Sequence, residues 1–290
     1  MYLIRSCKAL LVLLMLASVS SGAEPRQLTS DGVWKLSPRY SPDGESVYYC
    51  QSSNPGRMFM HQLDLQTGKD KQLLLEATDH LFDPVISRDG RYMAYCQSAG
   101  SPQLILMIRD TQEKKTAQYM PVGARSTARR PAFVPGTRLV AFTESGEGGQ
   151  QISVVDYEGK NRRLVTEIPA NNRWPDPSPD GKKLVFCSSK TGNYELFTVN
   201  LDGTELTQLT NHPLRDIHPA WSPVGSRIAF VSVRDGDHEI FLLDLATKKL
   251  SQLTSNETRD DFPSWSADGT KLVYISQQGG ATNLFELTVP

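Results

Sequence analysis

A proline recurs six times along this chain at nearly constant spacing, and an aromatic residue follows each copy at a fixed distance. The prolines lie 46, 47, 44, 44 and 44 residues apart: Pro38, Pro84, Pro131, Pro175, Pro219 and Pro263. Eleven positions later stand Tyr49, Tyr95, Phe142, Phe186, Phe230 and Tyr274. A period of this length is typical of repeat architectures, in which each unit is one supersecondary structure. We number the units one to six by their prolines.

Each unit contains several short runs rich in Val, Ile, Phe and Tyr, bounded by Gly, Pro, Asp and Asn, which is the pattern of β-strands. Asp-Gly turns separate the first two runs in four units, for example at Asp43-Gly44 and Asp180-Gly181. No sustained helical spacing follows residue 23. Four strands in about 44 residues are typical of a propeller blade. We predict an all-β fold, a six-bladed β-propeller of four-stranded blades.

The prolines fit the first strand of such a blade. Proline cannot donate to a strand ladder, so it belongs at a sheet edge or at a strand start. Unit four carries Pro175, Pro177 and Pro179 in succession, which a central strand would not tolerate. The first strand of every unit is therefore expected at the inner edge, facing a central channel.

The ends of the chain indicate how the ring closes. Units four and five end in Gln-Leu-Thr at 208–210 and 252–254, whereas unit six ends after three strands. A matching segment, Arg26-Gln27-Leu28-Thr29, stands near the beginning of the chain. We predict that residues 26–29 form the fourth strand of the last blade.

Residues 1–23 have the pattern of a secretory signal peptide. Arg5 and Lys8 precede the apolar run from Leu10 to Val19, and Ser21-Gly22-Ala23 is a small-residue cleavage motif. An uncleaved membrane anchor is the alternative. The expectation is a periplasmic or secreted monomer with one domain, residues 24–290, and no transmembrane segment in the mature chain. A net charge of −1 gives no reason to expect nucleic acid as a partner.

Three cysteines follow the signal peptide, and each stands directly after the fixed-offset aromatic of its unit: Cys50, Cys96 and Cys187. Equivalent positions in different blades should be too far apart for a disulfide bond. We predict that all three thiols are free and buried.

The segment DIHPAWSPVGSRIAFVSVRDGDHEIFLLDLATKKLSQLT (216–254) resembles the repeat of TolB-type propellers. The resemblance covers nearly all of the chain after residue 23 and implies a six-bladed propeller that is exported. In the family, the propeller docks a peptidoglycan-associated lipoprotein and follows an α/β domain, which we do not expect here. The resemblance thus implies a scaffold that binds an envelope protein, for example one of the peptidoglycan-associated lipoprotein type, or a cell-wall component.

No motif for catalysis is present in the sequence. None of the five histidines forms a zinc-binding pair, and there is no Gly-x-Ser-x-Gly or phosphate-binding loop. We therefore predict a non-catalytic protein without metal or cofactor. The alternative is a polysaccharide-binding or lyase-type propeller acting at the channel mouth, since lyases that resemble this family hold a metal there through histidines. Only His218 and His80 are expected near the mouth.

The segments before the six prolines should converge on one face around the channel, and they mix Arg, Asp and aromatic residues as protein interfaces do. The candidate partner-binding residues are Lys35, Asp83, Arg129, Arg130, Arg173, Trp174, Arg215, Asp216, His218, Arg259, Asp260 and Asp261. Trp174 is the expected anchor. The alternative for Asp216 and Asp260 is a structural role as acceptors of backbone N–H bonds. For the arginines the alternative is that they lie at a solvent-exposed rim and bind no partner.

Overall fold

The computed structural model describes residues 24–53, 56–100, 102–146 and 148–290, which contain twenty-four β-strands and no helix. The strands are β1 (Arg26–Gln27), β2 (Lys35–Tyr40), β3 (Ser46–Ser53), β4 (Arg57–Asp64), β5 (Asp70–Gln72), β6 (Leu81–Ile86), β7 (Tyr92–Ser98), β8 (Leu104–Asp110), β9 (Thr116–Tyr119), β10 (Thr127–Val134), β11 (Leu139–Gly146), β12 (Gly149–Asp156), β13 (Arg163–Leu164), β14 (Asn172–Pro177), β15 (Lys183–Ser188), β16 (Glu195–Asn200), β17 (Thr207–Gln208), β18 (Asp216–Trp221), β19 (Arg227–Ser232), β20 (Glu239–Asp244), β21 (Leu250–Gln252), β22 (Arg259–Trp265), β23 (Lys271–Gln278) and β24 (Ala281–Thr288).

Strand pairing, antiparallel with one exception, joins these strands into five sheets. Four sheets have four strands each: β2–β5, β14–β17, β18–β21, and β22–β24 with β1. The fifth sheet has eight strands, β6–β13, because β10 and β8 are linked by one parallel pair, Thr127 with Leu104. The predicted all-β class is confirmed, whereas the pairing does not confirm six separate blades.

The first strands of the six units contact one another in a closed cycle, in the order β2, β6, β10, β14, β18, β22 and again β2. The sheets are therefore arranged radially around a central channel, which is a β-propeller. Its two faces differ in their connections. We call the side where the chain enters each first strand the loop face, and the side with the Asp-Gly turns the turn face.

Each first strand has a bulge at its proline. In unit one, Leu36 pairs with Cys50 but the next pair is Arg39 with Tyr48, and the other five first strands shift register at the same place. A bulge leaves residues unpaired and bends the strand. Proline is tolerated here because no ladder hydrogen bond is required of it.

The predicted closure of the ring by the N-terminal segment is confirmed. Strand β1 pairs with β24, with Arg26 opposite Glu286 and Gln27 opposite Phe285. The backbone N–H of Leu28 donates to the carbonyl of Leu284 at 2.8 Å. The segment therefore occupies the outer position of the sheet that contains unit six.

The hydroxyl of Thr29 repeats a hydrogen bond made by the corresponding threonines of other units. Thr29 Oγ1 accepts from the backbone N–H of Leu284 at 3.0 Å. Thr210 and Thr254 do the same for the third strands of units four and five, at 3.0 and 2.9 Å. The shared hydrogen bond shows that residues 26–29 are the missing fourth strand.

The core lies between neighbouring sheets and includes the fixed-offset aromatic of every unit. All six of these rings are at most 4% exposed. Burying a large apolar side chain stabilises a fold by about 1.5–3 kcal/mol, so this repeated position contributes strongly to sheet packing. The cysteines next to the rings, Cys50, Cys96 and Cys187, are buried and free as predicted.

Candidate functional site

The residue before each repeated proline has a left-handed backbone conformation. The six φ angles lie between 50° and 57°: Ser37, Asp83, Arg130, Trp174, His218 and Phe262. We call these residues the pre-proline ring. Left-handed φ costs a non-glycine residue about 1–3 kcal/mol and persists only where surrounding contacts hold it. The bulges bring the side chains of this ring together at the channel.

The half of the ring from units one to three is polar and centred on Asp83. This carboxylate is 4% exposed and accepts a hydrogen bond from Ser37 Oγ at 2.8 Å. It also pairs with Arg129 Nε at 2.6 Å and Arg130 Nε at 3.2 Å. Burial by itself would raise the pKa of Asp83, but the two guanidinium charges outweigh it and hold the pKa below its ordinary value.

The half from units four to six is aromatic. The ring centroids of Trp174 and His218 are 4.2 Å apart, and those of His218 and Phe262 are 4.1 Å apart. His218 Nδ1 is hydrogen-bonded to the buried carboxylate of Asp261. Burial lowers the pKa of His218, although the charge of Asp261 opposes the shift. These contacts fix the imidazole inside the channel.

Arg130 joins the two halves across the channel. Its guanidinium carbon lies 4.2 Å from the ring centroid of Phe262, while its Nε pairs with Asp83. The cavity beside the ring is about 20 Å³, which is room for about one water molecule. The channel is therefore nearly filled at this level.

A second charged pair crosses the channel nearer the turn face. Arg39 Nη1 lies 3.5 Å from Asp176 Oδ1, and Asp176 Oδ2 accepts from the backbone N–H of Trp221 at 2.7 Å. Burial raises the pKa of Asp176, and Arg39 only partly offsets this effect. The pair forms the floor of any site that opens on the turn face.

Six of the predicted partner-binding side chains are buried and therefore offer little surface to a partner. They are Lys35, Asp83, Asp216, His218, Asp260 and Asp261. Lys35 is hydrogen-bonded to Asp31 and to the carbonyl of Val33. The acidic residues are enclosed because each has internal donors, and the sequence pattern does not show such pairing.

Asp216 and Asp260 are internal, but the hydrogen bonds they accept come from side chains and not from the backbone N–H groups that the alternative interpretation expected. Asp216 accepts from Arg234 Nη2 at 3.0 and 2.9 Å. Asp260 accepts from Asn256 Nδ2 at 2.9 Å. Both carboxylates therefore hold the loop face together from inside.

Two further arginines of the predicted set reach the surface while paired to buried acids. Arg129 pairs with Asp83, and Arg259 Nη2 lies 2.8 Å from Asp261 Oδ2. Their side chains are 35% and 46% exposed. Arg130, at 11%, is mostly buried. Arg129 and Arg259 thus lie at the rim of the channel with their charges largely balanced.

The remaining members of the predicted set are Arg173, Trp174 and Arg215. Together with Tyr194 and Leu214, which were not predicted, we call them the arginine patch; Arg173, Trp174 and Tyr194 are half-buried, and Leu214 and Arg215 are exposed. The guanidinium carbon of Arg173 lies 5.5 Å from the ring of Trp174 and 5.1 Å from that of Tyr194. Arg173 and Arg215 bond to the neutral groups of Gln150 and His238. Neither arginine forms an ion pair with a carboxylate among the described residues.

A second opening, on the turn face, was missed by the sequence reasoning. It is a funnel of about 410 Å³. The second residue after each repeated proline lines it: Tyr40, Ile86, Phe133, Pro177, Trp221 and Trp265. The signal was present as a large apolar or proline residue at one fixed offset in all six units.

Within residues 24–53, 56–100, 102–146 and 148–290, no three His, Cys, Asp or Glu side chains are grouped as metal ligands. The same residues contain no helix able to cross a membrane.

Comparison with protein families and solved structures shows what the chain is similar to. The sequence model of the TolB beta propeller domain family matches residues 124–238 and 213–290, together more than half of the chain. No curated protein matches significantly. The solved structure of a putative TolB from Agrobacterium tumefaciens is 19% identical, with a TM-score of 0.71 over 91% of this chain and 94% of that one. TolB from Acinetobacter baumannii is 20% identical, with a TM-score of 0.68 over 86% of this chain and 65% of its own length.

A likeness in fold extends to an enzyme. Oligogalacturonate lyase from Vibrio parahaemolyticus is 16% identical, with a TM-score of 0.63 over 95% of this chain and 96% of that one. At such identity the solved structures establish the propeller fold and do not by themselves assign an activity. The match to the family model is more specific, and it shows that the chain belongs to the TolB β-propeller family.

Proposed function

We propose that this chain is a non-catalytic binding scaffold that docks a partner on its loop face. The observation that carries the proposal is the arginine patch. There, two arginines that form no ion pair within the described part of the chain lie beside partly exposed aromatic and aliphatic side chains. Arg, Trp and Tyr are the residues that most often dominate the binding energy of protein interfaces. A partner offering carboxylates and an apolar side chain would complement the patch.

For the fold, we propose that the eight-stranded sheet consists of two blades, β6–β9 and β10–β13, so that the propeller has six. Only Thr127 and Leu104 pair between the two groups, whereas each group has its own antiparallel ladders. The closed cycle of six first strands supports this count. Residues 24–290 then form a single propeller domain.

For the location, we propose export to the periplasm or beyond. The support is the signal-peptide pattern of residues 1–23, which lie outside the described part of the chain. The proposed partner is an envelope protein, such as one of the peptidoglycan-associated lipoprotein type that the family resemblance implies, or a cell-wall component. Of the twelve predicted contacts, Arg173, Trp174 and Arg215 would bear most of the interaction, with Arg129 and Arg259 at the rim.

The test replaces the two unpaired arginines together, Arg173→Ala with Arg215→Ala. Arg129 and Trp174 are less suitable because Arg129 pairs with buried Asp83 and Trp174 packs on His218. Immobilised protein captures its partner from envelope extract, and the Kd of that partner is then measured. We expect the double variant to bind at least about tenfold more weakly, which corresponds to about 1.4 kcal/mol, with an unchanged melting temperature.

The matched control is Lys69→Ala with Lys248→Ala, two lysines between the third and fourth strands of their units on the turn face. Loss of capture in this control, with normal capture by the arginine variant, would place the partner on the other face. Polygalacturonate is titrated in parallel. Saturable binding of this polymer that the arginine variant loses would replace the protein partner with an acidic polysaccharide.

A further inference from the structure

The funnel on the turn face is lined largely by apolar side chains, and the polar groups of its aromatic residues are already hydrogen-bonded. Trp221 Nε1 donates to the carbonyl of Gly225 at 3.1 Å, and Trp265 Nε1 donates to that of Ala220 at 3.0 Å. Tyr40 Oη donates to Glu286 at 2.8 Å. A ligand in the funnel would therefore meet ring faces and aliphatic carbon.

Prolines extend this lining toward the rim. The fourth residue after the repeated proline also lines the funnel in every unit, and it is proline in four: Pro42, Pro135, Pro179 and Pro223. Aromatic-lined surfaces of this kind suit extended, proline-rich peptide segments, because their preformed polyproline II conformation loses little conformational entropy on binding. The charged pair Arg39–Asp176 at the floor is internally balanced.

An acidic groove of about 480 Å³ adjoins the funnel between units one and six. The two spaces share Tyr40 and Ala267 in their walls, so a single extended ligand can occupy both.

The charge of this groove is strongly negative. Its cations, Arg26 and Lys271, both pair with Glu286, at 3.5 and 3.1 Å. Four other carboxylates line the groove and form no ion pair among the described residues: Asp43, Glu45, Asp64 and Asp268. Basic side chains are the groups that this groove would attract.

We propose that the turn face binds an extended peptide segment of a partner protein, with an apolar or proline residue in the funnel and adjoining Lys or Arg residues in the acidic groove. Shape and charge select this occupant together. Arg88, on the funnel rim in unit two, disfavours the opposite orientation, because it would repel the basic end. This site is on the face opposite the arginine patch, so the two proposals stand or fall separately.

The probes are three fluorescein-labelled peptides that share the segment Pro-Leu-Pro-Trp-Pro and end in three lysines, three glutamines or three glutamates. Fluorescence anisotropy is measured with the full chain at about 20 mM and about 150 mM salt. We expect the lysine peptide to bind about tenfold more tightly than the glutamate peptide at low salt, with the glutamine peptide between them. Higher salt should reduce this difference.

Two sets of variants separate the two parts of the site. Asp43→Asn with Asp268→Asn removes two charges and keeps a side-chain oxygen acceptor in each turn. We expect this variant to bind the lysine peptide about fivefold more weakly and the glutamine peptide with unchanged affinity. Trp221→Ala should lower the affinity for all three peptides about fivefold. Arg57→Ala, on the loop face, is the control and should change none of them.

Equal affinity for the lysine and glutamate peptides would overturn the proposal, as would full lysine-peptide affinity in the Asp43→Asn, Asp268→Asn variant. The mass in solution is measured by sedimentation at each concentration. A concentration-dependent doubling that Trp221→Ala abolishes, together with no binding of the lysine peptide, would assign the funnel to a second copy of this chain, and the peptide proposal would then be wrong.

Discussion

At the scale of single residues, the repeated proline has a consequence that goes beyond strand placement. A residue before proline ordinarily favours extended conformations, yet all six members of the pre-proline ring have left-handed φ. Contacts between units hold several of them there: Asp83 pairs with Arg129, and His218 is hydrogen-bonded to Asp261. The strained backbone is thus stabilised by neighbours far away in the sequence.

Asp83→Asn tests how much the polar half of the ring contributes. The substitution removes the only carboxylate paired with mostly buried Arg130 among the described residues, and breaking a buried ion pair destabilises a protein by about 3–5 kcal/mol. We expect a loss of about 3 kcal/mol in the free energy of unfolding, measured with urea. Asp79→Asn, an exposed change in the preceding loop, should have an effect within about 0.5 kcal/mol.

The same pair predicts a pH dependence. Because the pKa of Asp83 is lowered in the folded protein, its stabilisation is present above the ordinary carboxyl pKa of about 3.9 and is lost as the pH falls toward the folded value. The difference in stability between wild type and Asp83→Asn should therefore shrink below about pH 4. A difference that stays constant down to that range would mean that the charge of Asp83 is not what stabilises the ring.

At the scale of strands and turns, much of the fold was predictable because the repeat carries local signals. Proline marked the edge strands, the fixed-offset aromatic marked the buried second strands, and Gln-Leu-Thr marked the fourth strands. The bulges were not predictable, because the bias before proline points to extended backbone. The single pair Thr127–Leu104 that merges two groups of strands also has no local sequence signal.

The turn glycines allow a matched test of packing between units. Gly181 and Gly44 both end a Ser-Pro-Asp-Gly turn, with φ of +69° and +75°. A Cβ on Gly181 would clash with the carbonyl oxygen of Pro135 in the neighbouring unit, whereas one on Gly44 would have nothing within 4 Å. Both alanine variants lose stability through left-handed φ, by about 1 kcal/mol.

Gly181→Ala should lose about 2 kcal/mol more than Gly44→Ala, because backbone must move to relieve the clash. Thermal and urea unfolding of the two variants give the comparison. Equal losses would show that the turns of units three and four are not packed as tightly as the structure indicates.

At the scale of the whole molecule, the sequence predicted that the pre-proline segments converge but not which side chains stay exposed. Asp83 and Arg129 are 46 residues apart and neutralise each other. The count of Arg and Asp in the pre-proline segments therefore gave more free charge on the loop face than the structure has. The funnel depends on the same ring geometry, since its wall takes one residue from each unit. Only the assembled ring shows that these scattered residues form a single surface.

Ring closure gives the last prediction. Leu28 packs with a core cluster that includes Val47 of unit one and Leu284 of unit six, and β1 pairs with β24. Deleting Glu24 to Ser30 would remove that contact and leave β24 as an open edge. We expect a loss of about 3 kcal/mol or more in unfolding free energy, together with concentration-dependent association through the exposed edge, measured by urea unfolding and sedimentation velocity.

A matched pair of hydroxyl deletions tests whether residues 26–29 stabilise the ring as a strand does, and not only as an attached chain end. Thr29→Val and Thr254→Val each remove the acceptor of a third-strand N–H, at 3.0 and 2.9 Å, and an unsatisfied buried donor costs about 1–3 kcal/mol. If residues 26–29 are an integral strand, the two variants should lose similar stability. A clear loss for Thr254→Val with none for Thr29→Val, or an unchanged melting curve after the deletion, would show that the terminal strand is dispensable and that contacts between the first strands alone hold the ring closed.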